Sequence, residues 1–312
     1  MVIGICTFNR GPKLIRTLET LAAMDLCNGR VTRLMVIDNN STDQTGIVVD
    51  AFAATSTHLK VARIVETTQG LAAARERLIH ATTEPIVAFI DDDCLPDVAW
   101  AAAILSSFDR HPRAGMTGGR VSLSWESGPT VLARRCATML AAQDLGPREF
   151  QLVEPEHCLV GAAFAVRRSA VNQSGWLERR SLTDREGNAL TSGGDFEMGI
   201  RIRRAGWELW YSPEPSVQHL IPPERQTAAY LQRLMRGVSL SKAALKWLAH
   251  GEPGVEWAVA RARKARRRRV KSMLLEWRPS HRALKLAEHQ ARCEGWASLV
   301  NALQSQSRNP AP

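Results

Sequence analysis

Through the first 120 residues, short apolar runs rich in β-branched residues alternate with longer stretches of helical periodicity. The runs Val2 to Cys6, Arg33 to Ile37, Val61 to Val65 and Ile86 to Ile90 read as strands, and residues 12–25, 43–54 and 70–81 as helices between them. That alternation predicts a parallel sheet covered by helices. Pro12 suits a first helical turn, where its missing N–H costs nothing, and Ser41-Thr42-Asp43 reads as a helix start. Residues 121–157 carry mixed patterns punctuated by Gly128-Pro129, Gly146-Pro147 and Glu154-Pro155, and read as substrate-facing loops. Beyond them come a small-residue apolar segment from Cys158 to Val166, a helix starting at Ser169, and a Gly193-Gly194-Asp195-Phe196-Glu197 turn into a helix through Arg204. Trp207 to Tyr211 and Ser216 to His219 read as two short strands. After Pro222-Pro223 the pattern is helical: Leu231, Leu234, Met235, Val238, Leu245 and Leu248 share a face. Breaks fall at Gly251 to Gly254 and at Pro279-Ser280, the last helix carries Leu284, Ala287, Ala291, Leu299, Val300 and Leu303, and residues 304–312 read as a frayed end.

Open parallel sheets bind ligands beyond the carboxyl ends of their strands, and the polar clusters of this chain fall there. Thr7-Phe8-Asn9-Arg10 follows the first strand, Asp38-Asn39-Asn40 the second, Glu66 to Gly70 the third and Asp91-Asp92-Asp93 the fourth. Three adjacent carboxylates repel one another by several kcal/mol at low dielectric, and a hard cation such as Mg²⁺ or Mn²⁺ is their usual neutralising partner. The plainer alternative is an acidic turn that caps a helix beginning near Pro96 and Asp97.

Composition narrows the class. The chain has 312 residues, 45% of them hydrophobic, enough for one large α/β domain with a helical appendage. No stretch reaches the roughly 20 apolar residues of a membrane span, and the start MVIGICTFNR reads as a strand rather than a secretory signal. A cytoplasmic location is expected. Six scattered cysteines without CxxC pairs suggest neither a zinc site nor a disulfide framework. The net charge of +10 is uneven: Arg261 to Lys271 holds eight basic residues in eleven positions, followed by Met273, Leu274 and Trp277. Such a basic amphipathic helix suits peripheral attachment to an anionic membrane, at the inner face of the plasma membrane, or is simply a solvated face. A nucleic-acid-binding protein is the competing class, yet the positive charge lies after residue 200, and acidic strand-end loops suit a metal and a nucleotide better than a phosphate backbone.

The strings ICTFNR, VIDNNSTDQT, QGLAAARERLI, IVAFIDDDCLPD, GAAFAVRRSA, GGDFEMGIRIRRAGW and PEPSVQH, in that order, resemble the family 2 glycosyltransferases, nucleotide-sugar enzymes of the GT-A fold. The match runs from Val2 to about Ala243. It implies a mostly parallel twisted sheet flanked by helices over residues 1–222, with a nucleotide-sugar-binding half (1–120) and an acceptor half (121–222), and a C-terminal helical region (223–312) carrying the basic helix. By the same resemblance Thr7, Phe8, Asn9, Arg10, Asp38, Asn40, Asp91 and Asp92 surround the nucleotide, with Phe8 stacking on the base and Asp38 accepting its N–H, and Arg75 reaches toward the nucleotide. Asp91 and Asp93 are the ends of a DxD motif; strand alternation would point them together and turn Asp92 away. Asp93, Asp91 and His219 are the implied metal ligands, for Mn²⁺ or Mg²⁺, and Asp195 the implied general base. Many relatives carry an acid before that base, where this chain has Gly194. Glu197 is either a second functional acid or a first-turn carboxylate favoured by the helix dipole. Arg225, Arg233 and Arg236 are candidates to clamp phosphate.

The activity so implied is inverting transfer of a sugar, most simply from a UDP-sugar, to a hydroxyl of a glycan or lipid-linked acceptor in cell-surface polysaccharide or glycolipid synthesis. The absence of a QxxRW string favours single additions over processive synthesis. A sugar nucleotidyltransferase is the alternative enzyme, though no Gly-rich amino-terminal loop followed by a basic residue supports it.

Overall fold

The computed structural model describes residues 1–182, 184–185, 190–275 and 279–308. Trp277 and the last four residues lie outside these. Among the described residues, one sheet of nine strands organises the fold. Its first half is a run of βα units: β1 (Val2–Thr7), α1 (Gly11–Ala22), β2 (Arg33–Asp38), α2 (Thr45–Thr55), β3 (Val61–Val65), α3 (Leu71–His80) and β4 (Ile86–Asp91). Then follow β5 (Cys94–Pro96), α4 (Trp100–Arg110), β6 (Ala114–Trp125), α5 (Val131–Arg135), β7 (Phe150–Gln151), β8 (Ala163–Arg167), α6 (Arg168–Ser174), α7 (Trp176–Arg179), α8 (Gly194–Arg204) and β9 (Glu208–Ile221). The order across the sheet is β3-β2-β1-β4-β8-β6-β9-β5, with β7 against β9. β1 pairs in parallel with β2 and β4, and β2 with β3, while β8 is antiparallel to both β4 and β6.

The apolar runs are continuous because both faces are covered. Alternation decides which side each residue joins. Ile3, Ile5, Leu34, Val36, Ala88 and Ile90 enter one core with Leu14, Leu18 and Trp100 of α1 and α4; Val2, Met35, Ile37, Val87 and Phe89 enter the other with Leu78, Phe164 and Met198. α1 buries Leu14, Leu18 and Leu21, spaced three and four apart, on that first core. Helix α9 (Ala228–Ala249) packs Leu231, Leu234 and Met235 over Ile221 and Leu140, and α10 (Val255–Leu275) and α11 (Pro279–Arg308) close a further cluster around Ala258, Ala265 and Trp296.

Three expectations change. The two short strands after Trp207 are one 14-residue strand, β9, whose pairing with β6 jumps from Gly118↔Tyr211 to Arg120↔Ser216. Ser212 to Pro215 form the bulge between, where Pro213 and Pro215 need donate no ladder bond. A Cβ on Gly119 would lie 2.0 Å from the Pro215 carbonyl oxygen, so the bulge closes on bare backbone. The segment read as loops also begins in β6, which runs through position 120 to Trp125. The helix expected near Pro96 starts at Trp100, after Asp97 has accepted a bond from the Ala99 N–H at 3.0 Å.

Candidate active site

The carboxyl ends of β1 and β4 meet in a cavity of about 250 Å³ lined by Thr7, Phe8, Arg10 and the aspartates 91 to 93. β4 ends at Asp91, and Asp92 and Asp93 already belong to a turn. Strand alternation therefore does not govern them, and the expectation that Asp92 faces away is corrected: its carboxylate accepts a 2.7 Å bond from the Thr7 hydroxyl and lies 3.7 Å from Arg10 Nε. Arg10 also reaches Asp93, at 3.8 Å. Burial, with Asp93 alongside, raises Asp92 to about 6. Phe8 is exposed at the edge of the cavity.

Antiparallel pairing of β5 with β9 sets Cys94 opposite His219 and brings that imidazole beside Asp93. His219 Nδ1 lies 2.8 Å from the Leu140 carbonyl, which assigns the proton there and leaves Nε2 facing Asp93 Oδ1 at 3.2 Å. A backbone carbonyl behind a histidine whose other nitrogen faces a carboxylate is the support metal-binding histidines usually have. Arg225, however, sits in the same place. Its Nη2 is 2.8 Å from Asp93 Oδ2 and its Nη1 3.2 Å from His219 Nε2. Burial would raise the Asp93 carboxyl, but Arg225, the largest of the opposing influences, outweighs it and holds it well below the usual range. Asp93, Cys94 and His219 are close enough for one ion, but burial keeps the Cys94 thiol protonated, and hard cations prefer oxygen. Asp93 and His219, with Asp91 nearby in the lining, are the side chains here whose donor atoms suit Mn²⁺ or Mg²⁺, and the Arg225 guanidinium occupies the place between them.

Behind this cavity a second carboxylate cluster surrounds Arg75. Its Nη1 bonds Asp184 Oδ2 at 3.1 Å, and its charge also acts on Asp195 and Asp91. Arg75 is buried and absent from the cavity lining, so its charge serves carboxylates of the protein. Asp195, in the first turn of α8, is buried as well; burial raises it to about 6, Arg75 opposing and Asp184 adding to the shift. Two glycines make this packing possible. A Cβ on Gly161 would lie 2.7 Å from Asp195 Oδ2 and 2.9 Å from Arg75 Nη2, and one on Gly194 would lie 2.6 Å from Asp184 Oδ2. The space beside Asp195 that a side chain at 194 would need is thus filled by the Asp184 carboxylate.

Other residues expected at the site have local duties. Asn9 Oδ1 accepts from Thr42 N at 2.8 Å, and Asn9 N donates to Ser41 Oγ, tying the β1 loop to the β2 loop. Asp38 accepts from Ser41 N at 3.0 Å and pairs with Arg63 at 3.3 Å. Asn40 is exposed, with φ +63°, and its buried neighbour Asn39 lines the cavity instead. Glu197 accepts from Ser181 N at 2.7 Å, Leu182 N at 2.8 Å and Arg201 Nε at 2.9 Å, so it anchors the segment before Asp184. Arg233 is exposed, and Arg236 pairs with Glu294 of α11 at 2.6 Å. Asp184, Arg185 and Tyr230 lie in this region without a legible motif; the only signal for Asp184 was an acid a few residues ahead of the Gly-Gly-Asp turn.

Over residues 2–175, more than half of the chain, the sequence matches the family model described as glycosyl transferase family 2. It is 30% identical over 155 residues to the "Pre-mycofactocin glycosyltransferase" of Mycobacterium tuberculosis, covering 48% of this chain and 30% of that protein, so the match spans less than a third of that relative's length. It is 28% identical over 246 residues to the "N-acetylglucosaminyl-diphospho-decaprenol L-rhamnosyltransferase" of the same species, covering 68% of this chain and 73% of the relative. Among solved structures, the mannosyltransferase PcManGT from Pyrobaculum calidifontis, in complex with GDP-Man and Mn²⁺, superposes with a TM-score of 0.56 at 18% identity, covering 100% of this chain and 87% of that one. At such identity the likeness speaks to the fold, which is GT-A-like.

Proposed function

The chain belongs to glycosyl transferase family 2, and from that premise we propose that it moves a sugar from a nucleotide-sugar donor to an acceptor hydroxyl, with inversion, by a single displacement. The observation that carries this reading is the meeting of two carboxylate clusters. Asp91 to Asp93 line an open cavity beside Arg10 and Arg225, and Asp195 lies behind it beside Arg75, whose charge also acts on Asp91.

The donor diphosphate lies against Arg10 and Arg225, which now direct their charge at Asp92 and Asp93; planar guanidinium groups suit paired phosphate oxygens. Phe8, exposed at the cavity, offers its ring to the base. A divalent cation held by Asp93, His219 and Asp91 would neutralise charge on the departing nucleotide diphosphate. Asp195 removes the acceptor proton as the hydroxyl oxygen bonds the anomeric carbon, while the bond from that carbon to the diphosphate oxygen breaks and the nucleotide diphosphate leaves. A carboxyl near 6 is largely ionised at neutral pH yet basic enough to take that proton. Asp184, packed against Gly194 and paired with Arg75, is the carboxylate beside it.

Asp195→Asn tests the base. It is expected to slow transfer by about 10² or more while nucleotide binding in the presence of Mn²⁺, measured by calorimetry with UDP and with GDP, stays at the wild-type value. Unchanged turnover removes the assignment. Asp93→Ala is expected to give the opposite pattern, weak metal-dependent nucleotide binding.

A further inference from the structure

A second and larger cavity, of about 490 Å³, lies between α8, α9, α10 and α11. Its walls are of two kinds. Phe196, Val238, Leu245 and Trp296 supply apolar surface, and Lys242, Lys264, Arg268 and Arg292 supply cations. The acids at its margin are already paired with its own cations and with His250: Glu156 with Lys246 and His250, and Glu288 with Arg292 at 2.6 Å. Among the described residues Lys242, Lys264 and Arg268 have no ion-pair partner. Lys242 is half-buried; burial and then the nearby Arg292 lower its pKa, with Glu288 of α11 opposing them. A desolvated ammonium beside a second cation is costly until an anion joins it.

The cavity also touches the catalytic turn. Gly193 and Phe196 line it on either side of Asp195, whose own carboxylate turns toward Arg75 and Gly161. Gly193 holds φ +124°, and a Cβ there would lie 2.8 Å from Leu245 Cδ1. One wall of the cavity is therefore the backbone that positions the base.

We propose that this cavity seats the diphosphate of a prenyl-type amphiphile, Lys242, Lys264, Arg268 and Arg292 holding the anion and the Phe196–Trp296 side taking the first part of the chain. This rests on the transferase reading and names the acceptor class: a sugar linked to a lipid diphosphate, presented to Asp195 across the shared turn. The apolar wall, with Trp296 buried in it, is what separates this ligand from a free phosphate.

Calorimetry on the full chain with farnesyl diphosphate, farnesol and inorganic pyrophosphate tests it. Farnesyl diphosphate is expected to bind about tenfold or more tightly than pyrophosphate, because only it fills the apolar wall, and more tightly than farnesol, which lacks the charge. Lys242→Met and Arg268→Gln are each expected to weaken farnesyl diphosphate about fivefold or more, and Lys242→Arg to retain binding, which separates lost charge from lost fold. UDP and GDP affinities should be the same in all variants, so a failure of the donor reading shows separately, as absent nucleotide binding in the wild type. Equal affinity for pyrophosphate and farnesyl diphosphate, displacement of farnesyl diphosphate by UDP, or wild-type binding in both Lys242→Met and Arg268→Gln would each overturn the proposal.

Discussion

Arg225 and a divalent cation call for the same place. Both are drawn by Asp93 and by the Nε2 lone pair of His219, and the guanidinium lies 2.8 Å from that carboxylate. Removing it leaves a carboxylate and an imidazole facing one another with no cation between. Arg225→Ala is therefore expected to strengthen Mn²⁺ binding to the nucleotide-free protein, about tenfold for roughly 1.4 kcal/mol of relieved competition, and to weaken nucleotide binding because a phosphate contact is lost. Titrating Mn²⁺ by calorimetry, with and without UDP, separates the two effects. The acid side of the pH profile follows from Asp195 and Asp92, both raised to about 6 chiefly by burial from an ordinary value of 3.8. Folding thus takes up protons between those limits: the stability these groups supply is complete below about 4 and is lost as pH climbs through 6. The catalysis proposed for Asp195 runs the other way, because a general base must be ionised. We expect kcat/KM to rise with an apparent pKa near 6 to a plateau, while the melting temperature falls over the same range, and Asp195→Asn to flatten that fall. A pH-independent rate between 5 and 7 would remove the base from the role.

At the scale of elements, the sequence made the βα half legible because each strand there is buried on both faces and each helix on one, so apolar periodicity and element coincide. Beyond β4 the coincidence fails. β6 carries Gly115, Gly118 and Gly119, which no strand propensity favours, because Gly115 faces Ile202 and Trp207 and Gly119 meets the backbone of β9. The Ser212 to Pro215 bulge likewise looks like a loop until its neighbours are known. The site shows the same division. Asp91 to Asp93 and His219 sit in strings whose order is recognisable, whereas Asp184 matters only because Gly194 leaves room for it, a relation across the fold that no local pattern announces. The segment that carries Asp184 is held by Glu197, buried and accepting bonds from Ser181, Leu182 and Arg201. Glu197→Ala strands Arg201 and two backbone donors; it is expected to cost about 3–5 kcal/mol and to lower the unfolding midpoint in urea. Glu197→Gln keeps part of the network and should cost less. Near-equal midpoints for wild type and Glu197→Ala would show that α8 does not hold that segment.

For the whole molecule, the helices α9 to α11 carry most of the excess charge, and two features give them distinct duties. Toward the sheet they fit closely: a Cβ on Gly237 would lie 1.9 Å from the Leu190 carbonyl oxygen, and one on Gly295 2.4 Å from that of Leu240, so α9 and α11 pack on bare backbone and fix the cavity beside the catalytic turn. Away from it, Arg263, Arg266 and Arg267 are exposed on α10 with Val270 and Met273. No helix among the described residues is long and apolar enough to cross a membrane. The lipid-diphosphate acceptor proposed above would nevertheless be met at a bilayer surface, and a basic face bearing exposed apolar side chains is suited to an anionic one. Each basic residue near such a surface contributes roughly 1 kcal/mol, so replacing Arg263, Arg266 and Arg267 together with Gln is expected to reduce co-sedimentation with phosphatidylglycerol vesicles by about tenfold or more, with little change on neutral vesicles. Raising the salt from about 0.1 M to 1 M shortens the screening length from about 10 Å to 3 Å and should release the wild type from the same vesicles. Lys242→Met, seated between helices, should leave vesicle binding as it is. Equal binding of the triple variant and the wild type would mean that the charge on α10 is spent on solvation and that the acceptor reaches the site without help from the surface.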